Sequence, residues 1–455
     1  MMQDYRYLIQ SYNDEIKKRE GQPLRFFVRT YGCQMNSRDS EKLAALLGVL
    51  GYEEAASQAD ADFILFNTCC VRESAEDRVF GHIGQAKRLR RAKPGLVIAV
   101  AGCMTQQEEM TDIFRQKYRY VNIVFGTANR HRLPEFIWQN LQTGKQVIDI
   151  TGLDDENELP ELDGIPVTTR EFPHKAGVNI MFGCDNFCSY CIVPYVRGRE
   201  KSRAAGDILQ EVEALAADGV KEIMLLGQNV NSYAGGFVPL LERINAVPGL
   251  QRIRFMTSHP KDLSPELINA VACLPKLCKH VHLPMQSGSS KVLADMNRKY
   301  TKEEYLTVAL RLKSAGVTLT TDIIVGYPGE TEEDFEHTLD VIRKVRFGGA
   351  FTFMYSKRSG TPAAERTDNI PRKTIADRFD RLTEEIARIM LEINQTQIGS
   401  TLDVMVEETR DGAYKGRADD HSLVHFTSEM PLQQGDITQV RISEVKSFYL
   451  QGATE

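Results

Sequence analysis

The chain has 455 residues, 42% hydrophobic and 26% charged, with a formal net charge of −6. That composition excludes a disordered chain, and at ~150 residues per domain it predicts about three domains. No apolar run approaches the ~18 residues of a membrane helix, the opening MMQDYRYLIQSYNDEIKKREG reads as neither signal nor transit peptide, and the acidic balance confines any nucleic-acid contact to local patches.

Residues 25–150 alternate apolar strands, RFFVRT (25–30), DFILFNT (62–68), LVIAVAG (96–102) and VNIVFG (121–126), with amphipathic helices. In SRDSEKLAALLGVLGY a Ser cap precedes Leu43, Leu46, Leu47 and Leu50 on one face. This predicts a parallel, Rossmann-like or flavodoxin-like α/β domain over 24–150. The acidic, proline-broken TGLDDENELPELDGIP opens a linker, 151–169. From 170 to 398 six further alternations follow, with strands GVNIMF (177–182), KEIMLL (221–226), RIRFMT (252–257), HVHLP (280–284), TTDIIVG (320–326) and GAFTFMY (349–355). Six parallel strands predict a partial (β/α)6 barrel. A helix over 373–397 leads to period-two segments in 399–455, which predict a small antiparallel β-barrel.

Function in parallel α/β folds gathers at strand carboxyl ends. GCDNFCSYC, GQNVNSY, SHPKD, MQSGSS, YPGE and SKRSGTP follow the six central strands in turn. Nine cysteines, an odd count without an export signal, point to metal or redox chemistry rather than disulfides. Cys184, Cys188 and Cys191, spaced C-x3-C-x2-C, offer three thiolates and no nearby fourth ligand. Three thiolates leave one iron of a [4Fe-4S] cluster open. S-adenosylmethionine can chelate that iron, so that the cofactor carries the hard chemistry. A structural zinc completed by a remote His174 or His259 is the alternative. Cys33 in YGCQMN, Cys69 in NTCCVRE and Cys103 in AGCMT follow three successive strands, each ahead of a helix whose dipole favours thiolate. They predict a second three-cysteine site, while Cys70, Cys273 and Cys278 read as packing.

The C-x3-C-x-aromatic-C motif resembles the radical SAM superfamily, and with YGCQMN, NTCCVRE and AGC it is similar to the methylthiotransferase family over roughly 24–452. CIVPYVRGREKSR, TSHPKDLS, HLPMQSGS and MYSKRSGTPAA look like the MiaB type within it, and the last 55 residues resemble a TRAM RNA-binding domain. The resemblance implies a radical SAM cluster on Cys184, Cys188 and Cys191, with Tyr190 near the adenine, and an auxiliary [4Fe-4S] cluster on Cys33, Cys69 and Cys103. It implies insertion of a methylthio group at C2 of N6-isopentenyladenosine, position 37 of a tRNA anticodon stem-loop. One S-adenosylmethionine would give the methyl and a second the 5′-deoxyadenosyl radical. An electron donor such as a flavodoxin, a sulfur source and a cytoplasmic setting come with it. The alternative is a methylthiotransferase acting on threonylcarbamoyladenosine in tRNA or on a ribosomal protein.

Polar strand ends, Gln228, Asn229, Ser258, His259, Gln286 and Ser287, are the candidates for holding S-adenosylmethionine, with Gly326 lining its adenine. For RNA the candidates are Lys87, Arg88, Arg90 and Arg91 in KRLRRAK, and Arg197, Arg199 and Arg203 in RGREKSR. The C-terminal segment carries five Lys or Arg against ten Asp or Glu, so a barrel there cannot hold RNA by charge alone.

Overall fold

The computed structural model describes residues 2–70, 73–153, 162, 170, 172–410 and 412–455, the side chains of 2–4 and 73–77 excepted. The chain forms two compact units. The first comprises Met1–Arg170, Phe182–Asp185 and Ile192–Lys201, and the second Glu171–Met181, Asn186–Cys191 and Ser202–Glu455.

The first unit is built on a parallel sheet of β1 (Arg25–Thr30), β2 (Glu53–Glu54), β3 (Phe63–Thr68), β4 (Val97–Gly102), β5 (Ile123–Phe125) and β6 (Val147–Asp149), in the order β2-β1-β3-β4-β5-β6. Every residue of β3 is buried. A central parallel strand covered on both faces needs the continuous apolar run FILF. The short edge strands β2 and β6 carry no such run and escape a reading based on hydrophobicity. Helix α1 (Met2–Glu20), also not foreseen, buries Ile9 in the sheet's core. The helices α2 (Gln34–Val49), α3 (Glu73–Ala92), α4 (Glu108–Lys117) and α5 (Leu133–Thr143) link the strands, and the short α6 (Val193–Arg197) also belongs to this unit. The expected cap of α2 is displaced. Its N-cap is Cys33, which places Ser37 inside the helix. The linker expected over 151–169 lies outside the described residues except for 151–153 and Leu162, which is buried in the sheet's core.

The second unit contains six parallel strands in two sheets of three. β7 (Lys175–Asn179), β8 (Glu222–Leu226) and β9 (Arg252–Phe255) are ordered β9-β8-β7. β10 (His280–His282), β11 (Thr318–Val325) and β12 (Gly349–Met354) are ordered β10-β11-β12. A parallel bridge from Ile253 to Leu277 links the two sets, giving the partial barrel. Its outer face, with Val178, Ile223, Leu225, Ile253, Val281, Leu319 and Ile323, packs under the helices in one apolar core.

Strands β13 (Thr401–Arg410), β14 (Ala413–Ala418), β15 (Leu423–Thr427), β16 (Ile437–Val445) and β17 (Leu450–Thr454) close a small barrel. It docks on the amino ends of the parallel strands. Arg252 donates to the carbonyls of Asp403 and Arg417 (2.7 Å each), and Arg254 donates to the carbonyl of Ala418 (2.8 Å) while pairing with Glu222 (3.0 Å). Lys175 pairs with Glu407, and His280 stacks on His421 at 4.6 Å between centroids.

Candidate functional site

In the first unit, Cys33, Cys69 and Cys103 stand just past the carboxyl ends of β1, β3 and β4, three neighbouring strands of the sheet. Sheet order therefore gathers thiols that lie more than thirty residues apart in sequence. Gly32 precedes Cys33 with φ +117°, and a Cβ there would lie 2.6 Å from the Cβ of Cys69. Gly102 precedes Cys103 with φ +105°, and a Cβ there would collide with the carbonyl oxygen of Thr68. Only glycine fits both crossings. Asn36 ties the strand ends together, donating to the carbonyls of Tyr31 (2.9 Å) and Thr68 (2.8 Å), while the Cys103 N–H donates to the Thr68 carbonyl (3.0 Å).

Cys33 caps α2 directly, at the positive end of that helix's dipole. Cys103 does not have this position, because a turn separates it from α4, whose N-cap is Gln107. Its thiol is instead drawn down to about 6 by the Cys70 side chain and, against burial, by the Arg197 guanidinium. Arg197 Nε donates to Cys103 Sγ at 3.2 Å, and its Nη2 donates to Asn36 Oδ1 (2.7 Å) and Asp39 Oδ2 (3.1 Å). Asp39 also pairs with Arg130.

In the second unit, Cys188 is buried and its carbonyl accepts from the Cys191 N–H at 2.9 Å. The loop is fastened by Ser189, whose N–H reaches the Met296 carbonyl (2.9 Å) and whose hydroxyl reaches the Asp295 carbonyl (2.8 Å) and Tyr327 Oη (2.9 Å). Asn297 Nδ2 donates to the Phe187 carbonyl at 2.8 Å, which supports Phe187 at φ +45°. Tyr190 packs with Val292, Met296, Tyr327 and Ala363. Arg298 Nη1 donates to Cys188 Sγ at 3.4 Å, and the guanidinium lies over the Tyr300 ring, which meets His259 edge-on at 5.5 Å. Cys184 belongs to the first unit, where its N–H donates to the Gly198 carbonyl at 3.1 Å.

Besides Tyr190, which follows β7, the expected cofactor residues lie past the carboxyl ends of β8 to β11, and five of them fall into two groups. Asn229 is spent on Asp262 (2.9 Å) and on the His259 N–H (3.1 Å), Ser287 Oγ accepts from the Ser289 N–H (3.2 Å), and the Gly326 N–H is taken by Glu330 (2.9 Å). Ser258 Oγ and His259 Nε2 are buried with no hydrogen-bond partner among the described residues. Burial keeps His259 neutral, lowering it to about 2. Gln286 sits at φ +68° and Thr257, beside Ser258, at φ +64°. Left-handed backbone at a β-branched residue is costly and concentrates at binding sites. Orphaned polar atoms beside strained strand ends fit a polar cofactor.

Among the described residues no three His, Cys, Asp or Glu side chains are arranged to hold a single metal ion.

Of the basic candidates, Lys87, Arg88, Arg91 and Arg199 are exposed. Arg90 turns inward to the Leu96 carbonyl (2.7 Å). Arg197 and Arg203 do not fit the RNA contact expected of them. Arg197 is buried as described, and Arg203 is buried on Glu211 and the Asn179 carbonyl (2.7 Å each). The alternating charge of RGREKSR hid this, although Val196 beside Arg197 hinted at an inward face. Arg298, Asn36 and Asp39 were not singled out from the sequence, because their roles come from tertiary partners.

Residues 178–342 match the radical SAM superfamily profile and residues 25–126 match the uncharacterized protein family UPF0004. The chain is 46% identical, over 97% of its length and 93% of the relative's, to the tRNA-2-methylthio-N(6)-dimethylallyladenosine synthase of Acetivibrio thermocellus. It is 49% identical to the synthase of the same name from Lachnoclostridium phytofermentans, over 96% of this chain and 98% of that one. The chain belongs to this synthase family. Among solved structures, the radical S-adenosylmethionine methyltransferase TsrM of Kitasatospora setae, determined with cobalamin and a [4Fe-4S] cluster, superposes with a TM-score of 0.57 at 14% identity. That match covers 86% of this chain and 80% of that one, and it is a likeness of fold. Among the described residues no helix is long and apolar enough to cross a membrane.

Proposed function

We propose that this chain inserts a methylthio group at C2 of N6-isopentenyladenosine at position 37 of tRNA. The observation that carries the reading is the gathering of Cys33, Cys69 and Cys103 on three adjacent strand ends in a member of the synthase family. The relatives' shared name favours this substrate over threonylcarbamoyladenosine or a ribosomal protein. The enzyme's cofactors are [4Fe-4S] clusters and S-adenosylmethionine, which supply methyl transfer and radical chemistry when bound.

In this reading Cys184, Cys188 and Cys191 hold the radical cluster and Cys33, Cys69 and Cys103 the auxiliary one. Ser258 Oγ and His259 Nε2 offer a hydroxyl and a neutral imidazole to S-adenosylmethionine, and Tyr190 walls its adenine. Gln228 and Gln286 stand at the same mouth, while Asn229, Ser287 and Gly326 shape it through the loops they brace. Segment 24–150 then carries the auxiliary cluster, 170–398 the radical chemistry and 399–455 an RNA-binding role. Lys87, Arg88, Arg91 and Arg199 would meet tRNA phosphates. A flavodoxin-like reductant, a sulfur donor and a cytoplasmic setting complete the proposal.

The test is an anaerobic assay of reconstituted enzyme with reductant, S-adenosylmethionine, sulfide and an isopentenylated anticodon stem-loop, read by mass spectrometry of nucleosides. A 2-methylthio product formed together with 5′-deoxyadenosine is expected. An unchanged nucleoside beside 5′-deoxyadenosine overturns the substrate. The absence of both with clusters confirmed overturns the reaction.

A further inference from the structure

A buried guanidinium is costly to keep unless its surroundings return the lost solvation. Arg197 is buried beside a cysteine rather than facing a phosphate. Its side chain is 5% exposed, that of Asp39 4%, and Asp39 is shared with Arg130, itself 5% exposed. Asp39 is thus divided between two guanidinia, and the Cys103 sulfur that Arg197 Nε reaches would carry negative charge on an oxidised four-iron cube, whose two positive charges less three thiolates leave one negative.

We infer that Arg197 is a positioning residue for the N-terminal cluster, holding the Cys103 sulfur through Nε and raising the cluster's reduction potential, with Asp39 opposing it. The inference rests on the proposed placement of a cluster on Cys33, Cys69 and Cys103. Two features of the geometry carry it. The Nε–H points at a ligand sulfur, and hydrogen bonds to sulfur raise the potential of such clusters. The remaining Nη2 is pinned by Asn36 and Asp39, so the fork cannot turn away from Cys103. Asn36 also ties the ends of β1 and β3, so Arg197 is wired to the frame that spaces the thiols.

Reduction adds a second negative charge to the cube, so removing the neighbouring cation should make reduction harder. Neutralising Asp39 removes a negative charge beside Arg197 and should make it easier. The experiment uses the full chain with Cys184, Cys188 and Cys191 changed to Ala, so that only the N-terminal cluster is read. Iron and sulfide analysis establishes loading, and an electron paramagnetic resonance redox titration gives the midpoint potential. Arg197→Gln is expected to lower that potential, Arg197→Lys to lower it less, and Asp39→Asn to raise it.

A loaded Arg197→Gln chain with an unshifted potential overturns the inference. If that variant does not load, Asp39→Asn decides, and an unchanged or lowered potential overturns it. A purely structural role gives no pair of opposite shifts. If the parent chain binds no four-iron cluster, the placement of the cluster fails, a result distinct from failure of the Arg197 assignment.

Discussion

The two sets of thiols are assembled in opposite ways. Cys184, Cys188 and Cys191 sit within eight residues of chain, so their grouping is local and is legible before any fold exists. Cys33, Cys69 and Cys103 meet only because β1, β3 and β4 are neighbours in one sheet and because Asn36, Gly32 and Gly102 allow the strand ends to close on each other. A local site tolerates a loosened scaffold, whereas a site distributed over three strands inherits every defect of its sheet.

The largest test of that difference is to remove one thiol from each set. Cys188→Ala should abolish both 5′-deoxyadenosine and the methylthio product. Cys69→Ala should abolish the product and leave 5′-deoxyadenosine, and each should lower bound iron by about half. Equal loss of 5′-deoxyadenosine in both would break the division of labour. Next in size is Arg254→Met in the second unit, which strips Glu222 of its buried partner. Glu222 is held down to about 2 by Arg254 and then Lys175, against burial. Breaking such a pair costs roughly 3–5 kcal/mol, readable in denaturant unfolding.

Gly32→Ala should cost at least about 1–3 kcal/mol from the backbone alone, with added crowding at Cys69. If the distributed site is the fragile one, this substitution strips iron from the first set and spares the second, as iron analysis of chains lacking one set would show. A pH series separates the barrel's docking from both sites. Burial, then Lys175, lowers His174 to about 4, and burial, then Arg254, lowers His421 to about 2. Both are therefore neutral when docked, and in the unfolded chain they take up protons near pH 6.5. Their contribution is complete above about 6.5 and is lost as the pH falls from there, towards 4 for His174 and towards 2 for His421. Proteolytic release of the barrel should rise over that window, and His421→Phe should blunt the rise. The smallest effect is expected from replacing Lys87, Arg88 and Arg91 with Ala, which should weaken tRNA binding several-fold and flatten its salt dependence by about 2–3 units of slope.

Much of this was legible because strands and their ends announce themselves. FILF in β3, the helical leucines of α2 and the cysteines after successive strands report local periodicity and position, which survive into the fold. The rest depends on pairing across the chain. Arg197 read as part of a solvated charge run, yet Asp39, Asn36 and Cys103 draw it inside. Arg298 carried no signal beyond its charge. Ser258 and Asn229 looked alike as polar strand ends, and only Asp262 and the His259 N–H set Asn229 apart as a brace. Helix α1 was missed because its apolar face is thin, and it gains its place by burying Ile9.

The small barrel grips the base of the parallel strands, far along them from the ends where the thiols and orphaned polar atoms lie. Arg252 and Arg254 spend their donors on its carbonyls, and Lys175 spends its charge on Glu407. It therefore behaves as a foundation rather than a detachable appendage. A truncation before Thr401, the ordinary way to ask what such a module does for RNA, would leave these cations without their counterparts and open the floor beneath the chemistry. Lost turnover in a shortened chain would then report a cracked base as readily as a lost grip on tRNA. Point changes on the barrel's outer face, at Phe448 for instance, which is 67% exposed, ask the question without undermining the building.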